Sequence, residues 1–340
     1  MLQGHGDDGY KYKNKIIADF STNVWYGGEP AGMKEYVFER WNNVNRYPEV
    51  LAESLCEKIA VHHHVSTDQV LINNGSTESI YLIAQLFTGK RTKILTPAFA
   101  EYEDASCIFD HQLSFLSWAE SLDFPQLRSD LVFICNPNNP TGQTIPDLEY
   151  WMKRNPACMF VVDEAFIDFT VNIESAIELI DQFPNLIIMR SLTKAYAIPG
   201  LRLGYIIAQS EVINQLTQIK QPWTVNALAG AAGEFIFENY TNIQLPLHQL
   251  LADKKSFVEE LQKNESIQIF ESHTHFFLSK TLVRNAGQLK EFLVEKHGLL
   301  IRDASNFRSL TRQHFRVATL HPDQNQLLVN ALNEWEKLYY

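Results

Sequence analysis

Between residues 70 and 189, short runs of β-branched and other apolar residues recur: Val70 to Ile72, Lys93 to Thr96, Leu131 to Cys135, Met159 to Val162 and Leu186 to Met189. Runs this short and this apolar read as buried strands, and Ser79 to Phe87, between the first two, carries helical spacing. The alternation predicts an α/β domain on a largely parallel sheet. Ligands of such sheets gather at the carboxyl ends of the strands. The residues with chemistry to offer fall at those ends: Asn74-Gly75-Ser76, Asn136 to Gly142, Asp163-Glu164 and Ser191 to Lys194. Beyond about residue 230 the pattern changes to long helices followed by expected strands at Phe276 to Ser279 and Phe315 to Ala318. A smaller α+β domain is expected there, with its boundary near a helix from about Ala227 to Glu238, and a chain of 340 residues has room for both domains.

A formal net charge of −11 argues against a nucleic-acid binder, and is compatible with a small anionic substrate only where a few arginines are gathered locally. No apolar run approaches the roughly 18 residues of a membrane span. The N-terminal MLQGHGDDGYKYKNK has no secretory character, so a cytoplasmic location is expected. Cys56, Cys107, Cys135 and Cys158 are scattered and read as reduced, buried residues.

Residues 191 to 205 read SLTKAYAIPGLRLGY, with Lys194 between Ser191 and Thr193 on one side and Arg202 on the other. This spacing suits a lysine that holds an aldehyde cofactor covalently while the hydroxyls and Arg202 grip its phosphate. The other reading is a solvated loop entering a strand. Asn74 to Glu78 opens a helix directly after a strand, which makes Ser76 and Thr77 either an anion site or a plain N-cap. NPNNPTG at 136 to 142 is rigid turn chemistry in which Gly142 permits a close approach and the Asn side chains are left to bond outward. Functionally, Asn139 would donate to the phenolic oxygen of an aromatic cofactor.

Asp163 ends the apolar strand MFVV, where a carboxylate needs a cation: a protonated pyridine nitrogen, or an arginine at the strand end. Phe99, in TPAFAEY, would stack on a cofactor ring or serve as core. Arg302 and Arg316 lie beside expected strands, where their forked donors suit carboxylate and phosphate oxygens; the alternative is surface ion pairs. Three features read as inert. His62-His63-His64 is expected as a solvated turn with no ligand partners, hence no metal site. Glu101 and Asp104 read as a surface pair, and Trp335 to Tyr340 as packing for the last helix.

The strings GHG (4 to 6), DFSTN (19 to 23), RYPE (46 to 49), TPAFAEY (96 to 102), NPNNPTG, DEAFIDF (163 to 169), RSLTKAYAIPGLRLGY and PWTVNALA (222 to 229) span nearly the whole chain. In that order they resemble the pyridoxal-phosphate enzymes of the aspartate-aminotransferase fold. Within these, the likeness is to the histidinol-phosphate aminotransferase group, and closer still to the L-threonine O-3-phosphate decarboxylases of cobalamin biosynthesis. The resemblance implies a large domain (31 to 235) with a mostly parallel seven-stranded sheet, a smaller α+β domain (236 to 340) and an N-terminal arm (1 to 30). Pyridoxal 5'-phosphate is the implied cofactor, tethered by Lys194, paired through its ring nitrogen with Asp163, met at its hydroxyl by Asn139 and stacked by Phe99. Ser76, Thr77, Ser191, Thr193 and Arg202 would hold its phosphate, joined by Tyr47 from the second subunit of a homodimer. His5, Gly6, Asn23, Asn139, Arg302 and Arg316 would bind a small phosphorylated amino acid. The chain carries Phe166 where the aminotransferases usually have the tyrosine of DEAY, as the decarboxylases do. The implied reaction is decarboxylation of L-threonine O-3-phosphate, with histidinol-phosphate transamination as the alternative.

Overall fold

The computed structural model describes residues 8–340, so His5 and Gly6 lie outside the described residues. After a short strand β1 (Ala18–Asp19), the chain builds a seven-stranded sheet from β2 (Val70–Asn73), β3 (Arg91–Thr96), β4 (Gln112–Ser117), β5 (Leu131–Cys135), β6 (Met159–Asp163), β7 (Leu186–Ser191) and β8 (Gly204–Ala208). Their spatial order is β2-β8-β7-β6-β5-β3-β4, and β8 alone runs antiparallel to its neighbours. Strand periodicity divides the apolar residues between two cores. Val132, Ile134, Phe160, Val162, Leu186 and Ile188 face one, while Leu131, Phe133, Val161, Ile187 and Met189 face the other. With both faces covered, the runs read as continuously apolar.

The chain leaves β3 outward to the edge strand β4, then returns past β3 to β5 and continues through β6 to β7. Loops at the carboxyl ends of β3 and β5 therefore diverge, and a crevice opens between them. The helix Gly75–Leu86 follows β2, beginning four residues before the expected helical run.

A second layer is built from β9 (Ile267–Ile269), β10 (Phe276–Thr281), β11 (Leu299–Leu300), β12 (Arg302–Asp303) and β13 (His314–Ala318). The antiparallel order β12-β13-β10-β9 packs under the helices Leu247–Leu261, Ala286–His297 and Pro322–Tyr339, around Phe257, Leu289, Phe315, Leu328 and Trp335. β1 pairs in parallel with β11, and the Phe20 carbonyl accepts from the Ala318 N–H at 2.9 Å. The N-terminal segment is thus sewn to this layer and delivers Ser21 to Asn23 to the crevice. The helix Ala227–Glu238 packs Ala229, Ala232, Phe235 and Ile236 into a core of the large sheet.

The histidine triplet departs from its expectation. His62 and His63 close the helix Glu53–His63 instead of forming a solvated turn. His63 Nε2 lies 2.7 Å from the Tyr205 hydroxyl, and burial pushes its pKa down to about 3. Its ring sits over the end of the buried strand β8, and helical phase decides that. No His/Cys/Asp/Glu cluster among the described residues could hold a metal. The four cysteines are unpaired, but Cys107 is exposed, because it lies on the outer face of the helix Glu101–Ile108. Trp335 packs against Phe292 and Tyr339 as expected of the aromatic tail. No helix of the described residues is long and apolar enough to cross a membrane.

Candidate active site

The crevice holds a cavity of about 580 Å³. Loops after β2, β3, β5, β6 and β7 line one wall, and β12, β13 and residues 21 to 23 line the other. It brings together Ser76, Thr77, Phe99, Asn139, Asp163, Ser191, Thr193, Lys194 and Arg202 from the first wall, with Asn23, Arg302 and Arg316 from the second. Tyr47 does not line it: the residue is 84% exposed and packs its ring 5.1 Å from Trp223.

At the start of the helix Gly75–Leu86, two glycines make an anion cup possible. Gly75 has φ +77°, and a Cβ there would come within 2.5 Å of Arg202 Nη2; one at Gly204 would lie 2.9 Å from the Ser76 nitrogen. Their absence lets a guanidinium and the first N–H groups of the helix crowd into one corner, a strong attractor for phosphate. Ser191 Oγ and Thr193 Oγ1 lie 2.8 Å apart at the same corner. Glu78, in the same helical turn, pairs with Lys220 at 2.8 Å and accepts from Thr224 and from the Asn74 N–H.

Strand periodicity separates Asp163 from Glu164. Glu164 turns to the opposite side and pairs with Arg190 at 3.2 Å, backed by Ser175 and the Ala176 N–H. Asp163 faces the cavity. Its Oδ2 accepts from the Tyr102 hydroxyl at 2.6 Å and its Oδ1 from the Ala165 N–H at 3.0 Å. Burial pushes the Asp163 carboxyl up, opposed by the Tyr102 hydrogen bond, the Ala165 N–H and the nearby Lys194 charge. Tyr102 is itself buried, stacked on Phe133 at 5.2 Å and met edge-on by Phe99 at 6.1 Å. Lys194 is half-buried, and its carbonyl accepts from the Trp25 N–H at 2.9 Å.

The 136 to 142 loop corrects one expectation. Asn136 bonds both ways with the Ile145 backbone and Asn138 reaches the Pro97 carbonyl and Thr141, so both are buried and brace the loop instead of bonding outward. Of these three asparagines, Asn139 alone lines the cavity. Gly142 serves its expected purpose: a Cβ there would collide with Ser272, and its carbonyl accepts from the His273 N–H at 2.8 Å. The expected surface pair is also corrected. Glu101 is buried, accepting from the Tyr81 hydroxyl at 2.7 Å, and Asp104 is half-buried; both line the cavity because their helix begins at its wall.

On the second wall, Arg302 and Arg316 are cross-strand partners of β12 and β13. Arg316 is buried and donates through Nη1 to the Asn139 side-chain oxygen and through Nη2 to the Ser21 carbonyl; its Nε has no partner among the described residues. Burial, with the charge of Arg302, pushes its guanidinium pKa down to about 9. Asn23, 3% exposed, leaves both side-chain polar atoms unpartnered among the described residues. Asn23 lines the cavity, so its open amide is available to a bound group.

These features fit pyridoxal phosphate: an amine on Lys194, a buried carboxyl group beside it, a phosphate cup whose glycines a Cβ would fill, and Asn139 lining the cavity with its side-chain oxygen taken by Arg316. The model for class I and II aminotransferases matches residues 19–332. The chain belongs to that family. It is therefore a pyridoxal-phosphate-dependent enzyme, and its α/β fold is that of the family's solved structures. It is 34% identical to L-threonine-O-3-phosphate decarboxylase from Porphyromonas gingivalis, whose structure it matches with a TM-score of 0.92 over 94% of this chain and 100% of that one. It is 31% identical to the threonine-phosphate decarboxylase of Salmonella typhimurium, over 93% of this chain and 90% of that protein. A histidinol-phosphate aminotransferase of Caldanaerobacter subterraneus is 32% identical over 86% of this chain and 85% of that protein.

Sequence reasoning passed over Tyr102, although it lies three residues past Phe99 in a string already singled out. It also passed over Glu103 and Arg308, which meet across the mouth of the cavity.

Proposed function

We propose that the protein decarboxylates L-threonine O-3-phosphate, yielding carbon dioxide and (R)-1-aminopropan-2-ol phosphate for cobalamin biosynthesis. The observation that carries this reading is the pair Arg302 and Arg316, held side by side over one cavity with the unpartnered amide of Asn23. Forked guanidinium donors suit carboxylate and phosphate oxygens, and threonine phosphate brings both. The likeness to two threonine-phosphate decarboxylases supports the same choice. So does Phe166, buried against Phe276 at 5.0 Å, which offers the cavity no hydroxyl.

Bound pyridoxal phosphate supplies a cationic ring that accepts negative charge developing at the substrate α-carbon. Lys194 would hold the cofactor, and its amine would be the nearest group to deliver a proton to that carbon. Asp163, its two oxygens held by Tyr102 and Ala165, would face the ring nitrogen and favour its protonated form. Ser76, Thr77, Ser191, Thr193 and Arg202 would receive the cofactor phosphate, Phe99 would cover the ring and Asn139 would donate to the ring oxygen. Arg302, Arg316 and Asn23 would bind and orient the substrate's carboxylate and phosphate, and binding energy from the remote phosphate would favour the orientation that loses carbon dioxide.

The reading extends to a cytoplasmic homodimer in which the partner's copy of Tyr47 completes the phosphate site. The exposed apolar residues Phe38, Trp41, Val44, Tyr47 and Trp223 support it as a surface for a second copy. It also keeps the division into an arm (1 to 30), a large domain (31 to 235) and a small domain (236 to 340). Incubation of the loaded enzyme with L-threonine O-3-phosphate is expected to release carbon dioxide without glutamate. The likeness to histidinol-phosphate aminotransferase favours one rival: glutamate formed from histidinol phosphate and 2-oxoglutarate would replace this reading.

A further inference from the structure

The loop between β12 and β13 touches both walls of the cavity within four residues. Asn306 accepts from Arg302 Nη2 at 2.9 Å, and the Arg302 guanidinium lies 5.4 Å from the centre of the Phe307 ring. The next two residues reach across the mouth. Arg308 clasps Glu103 with two donors, Nε to Oε2 at 2.8 Å and Nη2 to Oε1, while its guanidinium covers the Phe115 ring at 4.0 Å. Ser309 donates to Thr96 Oγ1 at 3.2 Å. Glu103 lies in the first turn of the helix after β3 and Phe115 on β4, so Arg308 anchors the loop to the opposite wall. A forked donor stacked on an aromatic ring fixes direction as well as distance.

We propose that the Glu103–Arg308 clasp is a positioning device: it fixes the 306 to 309 loop, and through Asn306 and Phe307 it sets how far Arg302 stands from the cofactor wall. Arg308 does not touch the reacting atoms in this scheme. Its effect is on the span between the anion-binding end of the cavity and Lys194, and hence on the length of phosphorylated amine that the enzyme accepts. The inference rests on the proposed function for its substrate, but the clasp itself can be tested without turnover.

Steady-state kinetics with L-threonine O-3-phosphate and hydrogen exchange of the cofactor-loaded enzyme would be measured for Glu103→Gln, Arg308→Gln, Arg308→Lys and the double variant Glu103→Gln/Arg308→Gln. Because the pair is partly exposed, breaking it is expected to raise KM about fivefold with kcat within about twofold, while amides of 304 to 311 lose protection. The double variant should be no worse than either single one, and Arg308→Lys should recover part of the KM. Unchanged protection in Arg308→Gln, additive effects in the double variant, or a loss confined to kcat would overturn the clasp. If the unmodified enzyme does not turn over threonine phosphate, the proposed function fails, and hydrogen exchange alone then decides the clasp.

Discussion

At the scale of single residues, the site turns on the opposed influences on the Asp163 carboxyl inside a buried cavity. Burial drives its carboxyl up, and the hydroxyl of Tyr102 is the strongest influence holding it down. A buried hydrogen bond to a charged group contributes about 1.5–3 kcal/mol, so Tyr102→Phe is expected to weaken cofactor binding about tenfold or more. Fluorescence titration of the cofactor-free protein with pyridoxal phosphate would measure this; an unchanged affinity would remove Tyr102 from the site. Lys194→Ala should abolish turnover and any borohydride-fixable cofactor mass while leaving the fold intact. Asp163 and Lys194 were legible in the sequence, one as a charge ending an apolar strand and the other inside a string with hydroxyls and an arginine. Tyr102 was not, because its partner is 61 residues away and only strand order brings the two together.

Among the elements, close approach is the controlling requirement. Gly75→Ala would put a methyl group against Arg202 at a backbone angle that costs an L-residue about 1–2 kcal/mol. The cup should open, with cofactor affinity falling about tenfold and the holoenzyme melting lower by calorimetry. Arg190→Met tests the buried pair behind the site. Removing the cation leaves Glu164 charged in a dry interior, which is expected to destabilise the protein by about 3–5 kcal/mol in urea unfolding. The buried central strands were legible because both of their faces are apolar. β4 was not, since this edge strand is half exposed and its QLSFLS mixes polar and apolar residues. β8 was hidden too: it is the antiparallel return of the Lys194 string, and nothing local marks its direction.

For the molecule as a whole, half-buried His63 and buried His275 link stability to acidity. Burial pushes both His63 and His275 down from 6.5 to about 3, so the folded protein keeps them neutral where the unfolded chain takes up protons. Their contribution is fully present above pH 6.5 and is lost as pH falls toward 3, each by at most about 1.4 kcal/mol per pH unit. Melting temperature is therefore expected to fall between neutral pH and pH 4, and less steeply in His63→Gln; a flat profile would contradict it. The sequence by itself determined the α/β class, the carboxyl-end loops that carry the site and most of the side chains within it, because burial patterns and turn chemistry are local. Tertiary structure alone decided that β12 and β13 face those loops across a cavity, that Tyr102 holds Asp163 and that Arg308 reaches Glu103. Those contacts join residues far apart in the chain, and their geometry exists only once the two layers have packed.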